Sequence, residues 1–209
     1  METFSIGVFC GSASGNRPEY VVAAREVGAA LADRGITLVY GGGGKGMMGA
    51  VADGALEAGG EVIGVIPSWM MEKEAAHPGV QQMIQVSTML ERKARMAELS
   101  DAFLVLPGGL GTLDELFEMA TWSQLRLHGR PKPCGMYNVA GYFDHLVAWI
   151  DVAVRDGFIR GDTPGLPHID TSLGTLLERL SAGQIAGECA SDLEESAPPG
   201  GDLRFSSSL

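Results

Sequence analysis

A chain of 209 residues, 45% of them hydrophobic, is long enough for one domain with a substantial core, and a second full domain would have to be unusually small. No apolar run approaches the ~18 residues of a membrane span. The formal charge of −11 excludes the broad basic footprint that nucleic acid or an anionic membrane requires.

Short β-rich runs alternate with helix-length amphipathic stretches, the pattern of a parallel sheet covered by helices on both faces. The first strand, Phe4 to Cys10, follows no basic leader, so no signal peptide is expected and the chain reads as cytoplasmic. The turn Gly11-Ser12-Ala13-Ser14-Gly15 leads to a helix near Pro18 to Arg34 and a strand over Ile36 to Tyr40. A glycine-rich loop then opens a helix near Met47 to Ala58, followed by a strand over Glu61 to Ile66 and a helix over Thr88 to Ser100. The strand Ala102 to Leu106 passes through Pro107-Gly108-Gly109-Leu110-Gly111 into a helix over Thr112 to His128. A strand over Cys134 to Val139, a helix over Tyr142 to Asp156, a short strand near His168 and a helix over Ser172 to Leu180 close the domain. The expected fold class is therefore α/β, a doubly wound parallel sheet in a single domain over residues 1–186. Residues 187–209 are rich in Ser, Pro, Gly and acids with little to bury, and are expected to form a disordered acidic tail.

Three glycine turns follow strands and precede helices, where backbone N–H groups and the helix dipole favour an anion. The loop from Gly41 to Gly49, GGGGKGMMG, satisfies GxGxxG twice, but the next strand ends in Pro67-Ser68 without the acid that would reach a ribose 2′-hydroxyl, which disfavours NAD. A Walker A reading fails as well, because Gly46 stands after Lys45 where a magnesium-binding hydroxyl is needed. Two such loops converging at strand C-terminal ends suit a phosphorylated sugar. The turn GSASG misses the GxSxG elbow by one place, so no serine nucleophile is expected.

In the segment TMLERKARMAELS, Met89, Arg92, Met96 and Leu99 share one helical stripe, which sets an arginine in an apolar row. Such a side chain either snorkels to water or turns inward to meet a carboxylate or phosphate. Glu115 has two readings. Thr112-Leu113-Asp114-Glu115 matches a capping box, which alone would explain the acid, yet the same position puts a carboxylate one turn from a phosphate-binding loop. Thr88-Met89-Leu90-Glu91 is a second capping box. Trp69-Met70-Met71 is either core or an apolar wall beside a bound base. The histidines at 77, 128, 145 and 168 show no metal-ligand spacing, and Cys10, Cys134 and Cys189 show neither CxxC spacing nor an even count, so neither a metal site nor a disulfide framework is expected.

Together GGGGKGMMG at 41–49, MLERK at 89–93 and PGGLGTLDE at 107–115 resemble the Lonely guy family of cytokinin riboside 5′-monophosphate phosphoribohydrolases, and the likeness runs over residues 4–160. The resemblance implies a modified Rossmann-type fold, a homodimer or larger assembly, and a pocket completed by the neighbouring subunit. It implies hydrolysis of an N-glycosidic bond in a nucleoside 5′-monophosphate, with Arg92 and Glu115 as the catalytic pair and no cofactor. Lys93, Glu74, Thr121 and the span Gly109, Leu110, Gly111, Thr112, Leu113, Asp114 match the family's nucleotide contacts, while Ser12, Gly43, Gly44, Met48 and Gly108 are further candidates on the glycine loops. Leu90 departs from the family pattern, which has histidine there. Arg92 would act either on the leaving base or on the phosphate. The rival reading is a nucleotide or molybdenum-cofactor carrier of the same fold.

Overall fold

The computed structural model describes residues 3–71, 75–127, 129 and 131–182. Seven strands form one all-parallel sheet: β1 (Ser5–Phe9), β2 (Thr37–Tyr40), β3 (Val62–Pro67), β4 (Gln82–Val86), β5 (Ala102–Val105), β6 (Cys134–Tyr137) and β7 (His168–Asp170), in the spatial order β4-β3-β2-β1-β5-β6-β7. The helices are α1 (Pro18–Ala32), α2 (Gly46–Glu57), α3 (Met89–Glu98), α4 (Leu110–Leu125) and α5 (Asp144–Arg155), with α6 over residues 173–182.

Strand alternation sends side chains to opposite faces, and both faces are covered. Ile6, Val8, Leu104 and Leu106 pack with Val27 and Leu31 of α1, Val51 and Ala55 of α2, and Leu176 and Leu180 of α6. Phe9, Val65, Phe103 and Val105 pack on the other face with Met96 of α3, Leu116 and Met119 of α4, and Phe143. Burial on both faces explains why the central strands read as continuous apolar runs.

The sequence reading missed β4. It is an edge strand whose Gln82 and Gln85 are exposed and whose Met83 and Ile84 are half-buried, so QMIQV lacks the apolar density of a central strand. Helix α4 starts at Leu110 with Gly109 as its N-cap, not at Thr112. That correction removes the expected capping box, since Thr112 lies inside the first turn and Glu115 lies beyond it. The expected tail over 187–209 lies outside the described residues.

Strand order reverses between β1 and β5: the chain moves from β1 toward β4, then from β5 toward β7 on the other side. The turns leaving these two strands diverge, which opens a crevice at their C-terminal ends.

Candidate active site

That crevice holds a cavity of about 370 Å³. Its floor is the end of β1 with Cys10, and its walls carry Gly41, Met48, Met70, Met89, Arg92, Met96 and Glu115, with Gly109 to Thr112 at one end and Ser12 at the rim.

Arg92 arrives there because α3 is firmly started. The Thr88 hydroxyl accepts from the Glu91 amide at 3.1 Å, and the Glu91 carboxylate accepts from the Ser87 amide at 2.7 Å, as expected of a capping box that reaches back one residue further. Arg92 is 4% exposed. Its Nε donates to the Val65 carbonyl at 3.0 Å and its Nη2 to the Gly41 carbonyl at 2.6 Å, while the sulfurs of Met89 and Met48 lie 3.8 and 4.0 Å from Nη1 and Nη2. A Cβ at Gly41 would sit 2.0 Å from Nη2, so the guanidinium fits only against glycine. Arg92 therefore points inward, with two of its N–H groups on backbone carbonyls.

Cys10 reports the local field. Burial pushes its thiol far above the usual range, the Glu115 carboxylate pushes it further and the Arg92 guanidinium pulls it back. Both charged groups therefore act at the end of β1, and the thiol stays neutral at physiological pH.

At the other end of the cavity the amides of Leu110, Gly111 and Thr112 precede the first intrahelical bond, Leu113 N–H to the Gly109 carbonyl at 3.2 Å. Gly109 has no side-chain cap and no acid stands in the first turn of α4. A Cβ built at Gly109 or Gly111 meets no atom within 4 Å, and neither residue has positive φ. Neither packing nor backbone conformation requires glycine at these two positions. The open space above them is the kind that lets a ligand approach the backbone closely.

The first glycine loop behaves differently from the anion cradle expected of it. The Gly44 amide donates to the Ala75 carbonyl at 2.8 Å, the His77 amide to the Gly42 carbonyl at 3.0 Å, and Gly43 pairs with Ala76. Cβ atoms at Gly44, Gly46 and Gly49 would lie 2.6, 2.2 and 2.5 Å from backbone oxygens of Ala75, Ser12 and Gly44. The run serves close packing, and only Gly41 and Met48 of it reach the cavity.

Of the other expected contacts, Gly108 lies on an adjoining cavity that shares Gly11, Ser12 and Gly109 with the main one. Leu113 is partly buried against the core cluster that contains Phe103 and Met96. The Lys93 ammonium lies 2.9 Å from Asp114 and 2.8 Å from Glu118. The Thr121 hydroxyl donates to the Phe117 carbonyl on a separate apolar groove of about 200 Å³. Glu74 lies outside the described residues. Sequence reasoning did not single out Val8, Phe9 and Cys10, which carry no motif and reach the site only because β1 ends at the reversal of strand order.

The family described as "Possible lysine decarboxylase" matches residues 48–179. The "Probable cytokinin riboside 5′-monophosphate phosphoribohydrolase LOGL9" of Oryza sativa subsp. japonica is 53% identical over 152 residues, 73% of this chain and 66% of that protein. The "Cytokinin riboside 5′-monophosphate phosphoribohydrolase LOG5" of Arabidopsis thaliana is 48% identical over 178 residues, 84% of this chain and 76% of that protein. The chain belongs to the Lonely guy family. The Lonely guy domain shares its fold more widely, since the molybdenum cofactor binding protein of Rippkaea orientalis superposes with a TM-score of 0.64 at 22% identity, covering 87% of this chain and 98% of that one. The molybdenum cofactor carrier protein of Chlamydomonas reinhardtii gives 0.62 at 23% identity, over 87% and 99% of the two chains. At such identity the likeness is one of architecture.

Proposed function

We propose that this chain hydrolyses the N-glycosidic bond of cytokinin riboside 5′-monophosphates, with water as co-substrate and free base and ribose 5-phosphate as products. The observation that carries the reading is one cavity bounded by a buried guanidinium, a carboxylate and a helix N-terminus with empty space over two glycines. The 5′-phosphate sits over Gly109 and Gly111 and accepts from the amides of Leu110 to Thr112. Glu115, one turn further along α4, faces the sugar and stabilises the oxocarbenium-like centre while orienting or deprotonating the attacking water.

Strand order supports a choice for Arg92. Its carbonyl anchors, Gly41 and Val65, belong to the ends of β2 and β3, whereas the phosphate end follows β5. β2 and β5 flank β1, so the two ends lie roughly 10 Å apart at about 4.8 Å per strand. This separation matches the reach from a nucleotide's phosphate to its base better than a contact to phosphate. Arg92 thus serves the leaving purine by donating hydrogen bonds to the electron density it gains. Met48 and Met89 stand against the guanidinium, and Met70 and Met96 also line the cavity, adaptable thioethers suited to an apolar base.

A homodimer completes this reading. Phe117 and Trp149 meet edge to face at 5.8 Å, and both are exposed, as is Val152, beside the apolar groove that contains Thr121. Exposed aromatic surface of this kind fits a second copy. No helix among the described residues is long and apolar enough to cross a membrane. Buried free thiols at Cys10 and Cys134 accord with a reducing cytoplasm.

Incubation with AMP and with N6-isopentenyl-AMP, followed by chromatography, should yield free base, and the matching nucleosides should react poorly. No base from either nucleotide would refute the proposed activity.

A further inference from the structure

Tyr142 stands beside the phosphate end of the cavity without belonging to any motif there. Its hydroxyl donates to the Gly108 carbonyl at 2.5 Å. The carbonyls on either side are occupied too, Pro107 by the Gly11 amide at 3.0 Å and Gly109 by the Leu113 amide at 3.2 Å. The loop from β5 to α4 thus has three successive carbonyls tied down.

A trans peptide is planar, with its C=O and N–H pointing in opposite directions. Fixing the Gly108 carbonyl therefore fixes the Gly109 N–H. Gly108 and Tyr142 line the adjoining cavity, whereas Gly109 lines both, so the amide directed away from Tyr142 is directed toward the main cavity. Among the described residues the Gly109 N–H meets no acceptor.

Without the hydroxyl this peptide has a second orientation open to it. Thr112 Oγ1 lies 2.1 Å from a Cβ built on Gly108, so packing keeps that residue glycine, and Gly109 follows it. Turning the peptide over rotates ψ of Gly108 and φ of Gly109 by about half a turn, taking Gly109 from its φ of −92° to the positive side. Glycine populates that region readily and other residues rarely. The flipped form aims a carbonyl, not an amide, at a bound anion.

The ring of Tyr142 is itself held firmly. Ala140 at φ +53° and Gly141 at φ +73° turn the chain back after β6. The Asn138 side chain accepts from the Phe143 amide at 2.8 Å and donates to Asp144 at 2.7 Å, while Arg17 donates to the Ala140 carbonyl at 3.3 Å. The Tyr20 ring meets that of Tyr142 edge to face at 5.5 Å. A left-handed alanine persists only where its surroundings over-determine it.

We propose that Tyr142 is a positioning residue: it holds the Gly108–Gly109 peptide in one orientation and so presents the Gly109 N–H as a fourth donor to the substrate's phosphate, beside those of Leu110, Gly111 and Thr112. The proposal rests on the placement of the phosphate in the hydrolase reading above.

The test compares wild type, Tyr142→Phe, Gly109→Ala and the double variant. Tyr142 is 42% exposed and phenylalanine keeps its ring, so Tyr142→Phe should fold. A neutral hydrogen bond supplies a modest bias, so KM for N6-isopentenyl-AMP should rise roughly 3- to 10-fold with kcat within about twofold of wild type. In the Gly109→Ala background the flipped peptide needs a positive φ that alanine resists, so adding Tyr142→Phe should cost less than about twofold. A second readout is independent of turnover. In NMR titrations with ribose 5-phosphate, the wild-type amide protons of Gly109, Leu110, Gly111 and Thr112 should move downfield; in Tyr142→Phe that of Gly109 should move less at saturation while the other three move as before. A wild-type Gly109 proton that stays in place while Leu110 to Thr112 respond overturns the proposal and leaves the phosphate placement standing; no response from any of the four overturns both. An unchanged KM in Tyr142→Phe, or a cost as large in the Gly109→Ala background as in wild type, also overturns it. Four responsive amides in a wild-type protein that releases no base would refute hydrolysis alone, and the Gly109 shift in Tyr142→Phe would then decide the role of Tyr142.

Discussion

Gly111→Ala separates ligand space from packing, because the structure gives opposite signs for stability and binding. Gly111 is the second residue of α4, its φ is not positive, and an added Cβ meets nothing within 4 Å. Folding should tolerate alanine or gain from it by up to about 1 kcal/mol of helix propensity. For a domain of this size that is an increase in Tm of roughly 2–4 °C at most. The methyl group would nevertheless occupy the space above the first-turn amides, forcing a bound phosphate away from at least one of them. A hydrogen bond to a charged group is worth about 1.5–3 kcal/mol, so KM for the nucleotide should rise by roughly 10- to 150-fold. Differential scanning fluorimetry and steady-state base release on one preparation read both effects. An unchanged KM in a stable Gly111→Ala protein would refute the placement of the phosphate on α4. Gly41→Ala is the opposite control, since its Cβ would lie 2.0 Å from Arg92 Nη2 and must displace the guanidinium.

Glu115→Gln should leave nucleotide affinity near wild type while kcat falls by about 10²- to 10⁴-fold; wild-type turnover would show that the carboxylate takes no part in chemistry. Light scattering should give wild type twice the 22.0 kDa chain mass, and Trp149→Glu should reduce it to one chain by placing a charge on the proposed contact face. A wild-type protein of one chain mass would remove the dimer.

The fold was largely legible because six of its seven strands are either buried on both faces or bounded by turn residues. β4 was not, since an edge strand with two exposed glutamines has neither the apolar run nor the alternation that marks a strand. The start of α4 was misplaced for a related reason. Thr112 and Glu115 have the spacing of a capping box, but the chain enters helical geometry at Leu110, directly after extended Gly109, and spends Thr112 on burial. The proposed catalytic pair stood out in the sequence as an arginine in an apolar stripe and an acid near a glycine loop, and the structure brings both to one cavity. What the pattern could not distinguish was the purpose of each glycine. Backbone crowds Gly44, Gly46 and Gly49, whereas nothing lies over Gly109 and Gly111. That difference exists only in three dimensions.

The acidity of the chain and the anionic substrate are compatible once distance is considered. A formal charge of −11 repels a nucleotide dianion from afar, but at physiological ionic strength such repulsion is screened beyond about 8 Å. Inside the cavity the interacting groups lie closer than that, and the positive ones are fixed: three helix amides at one end and a guanidinium held on two carbonyls at the other.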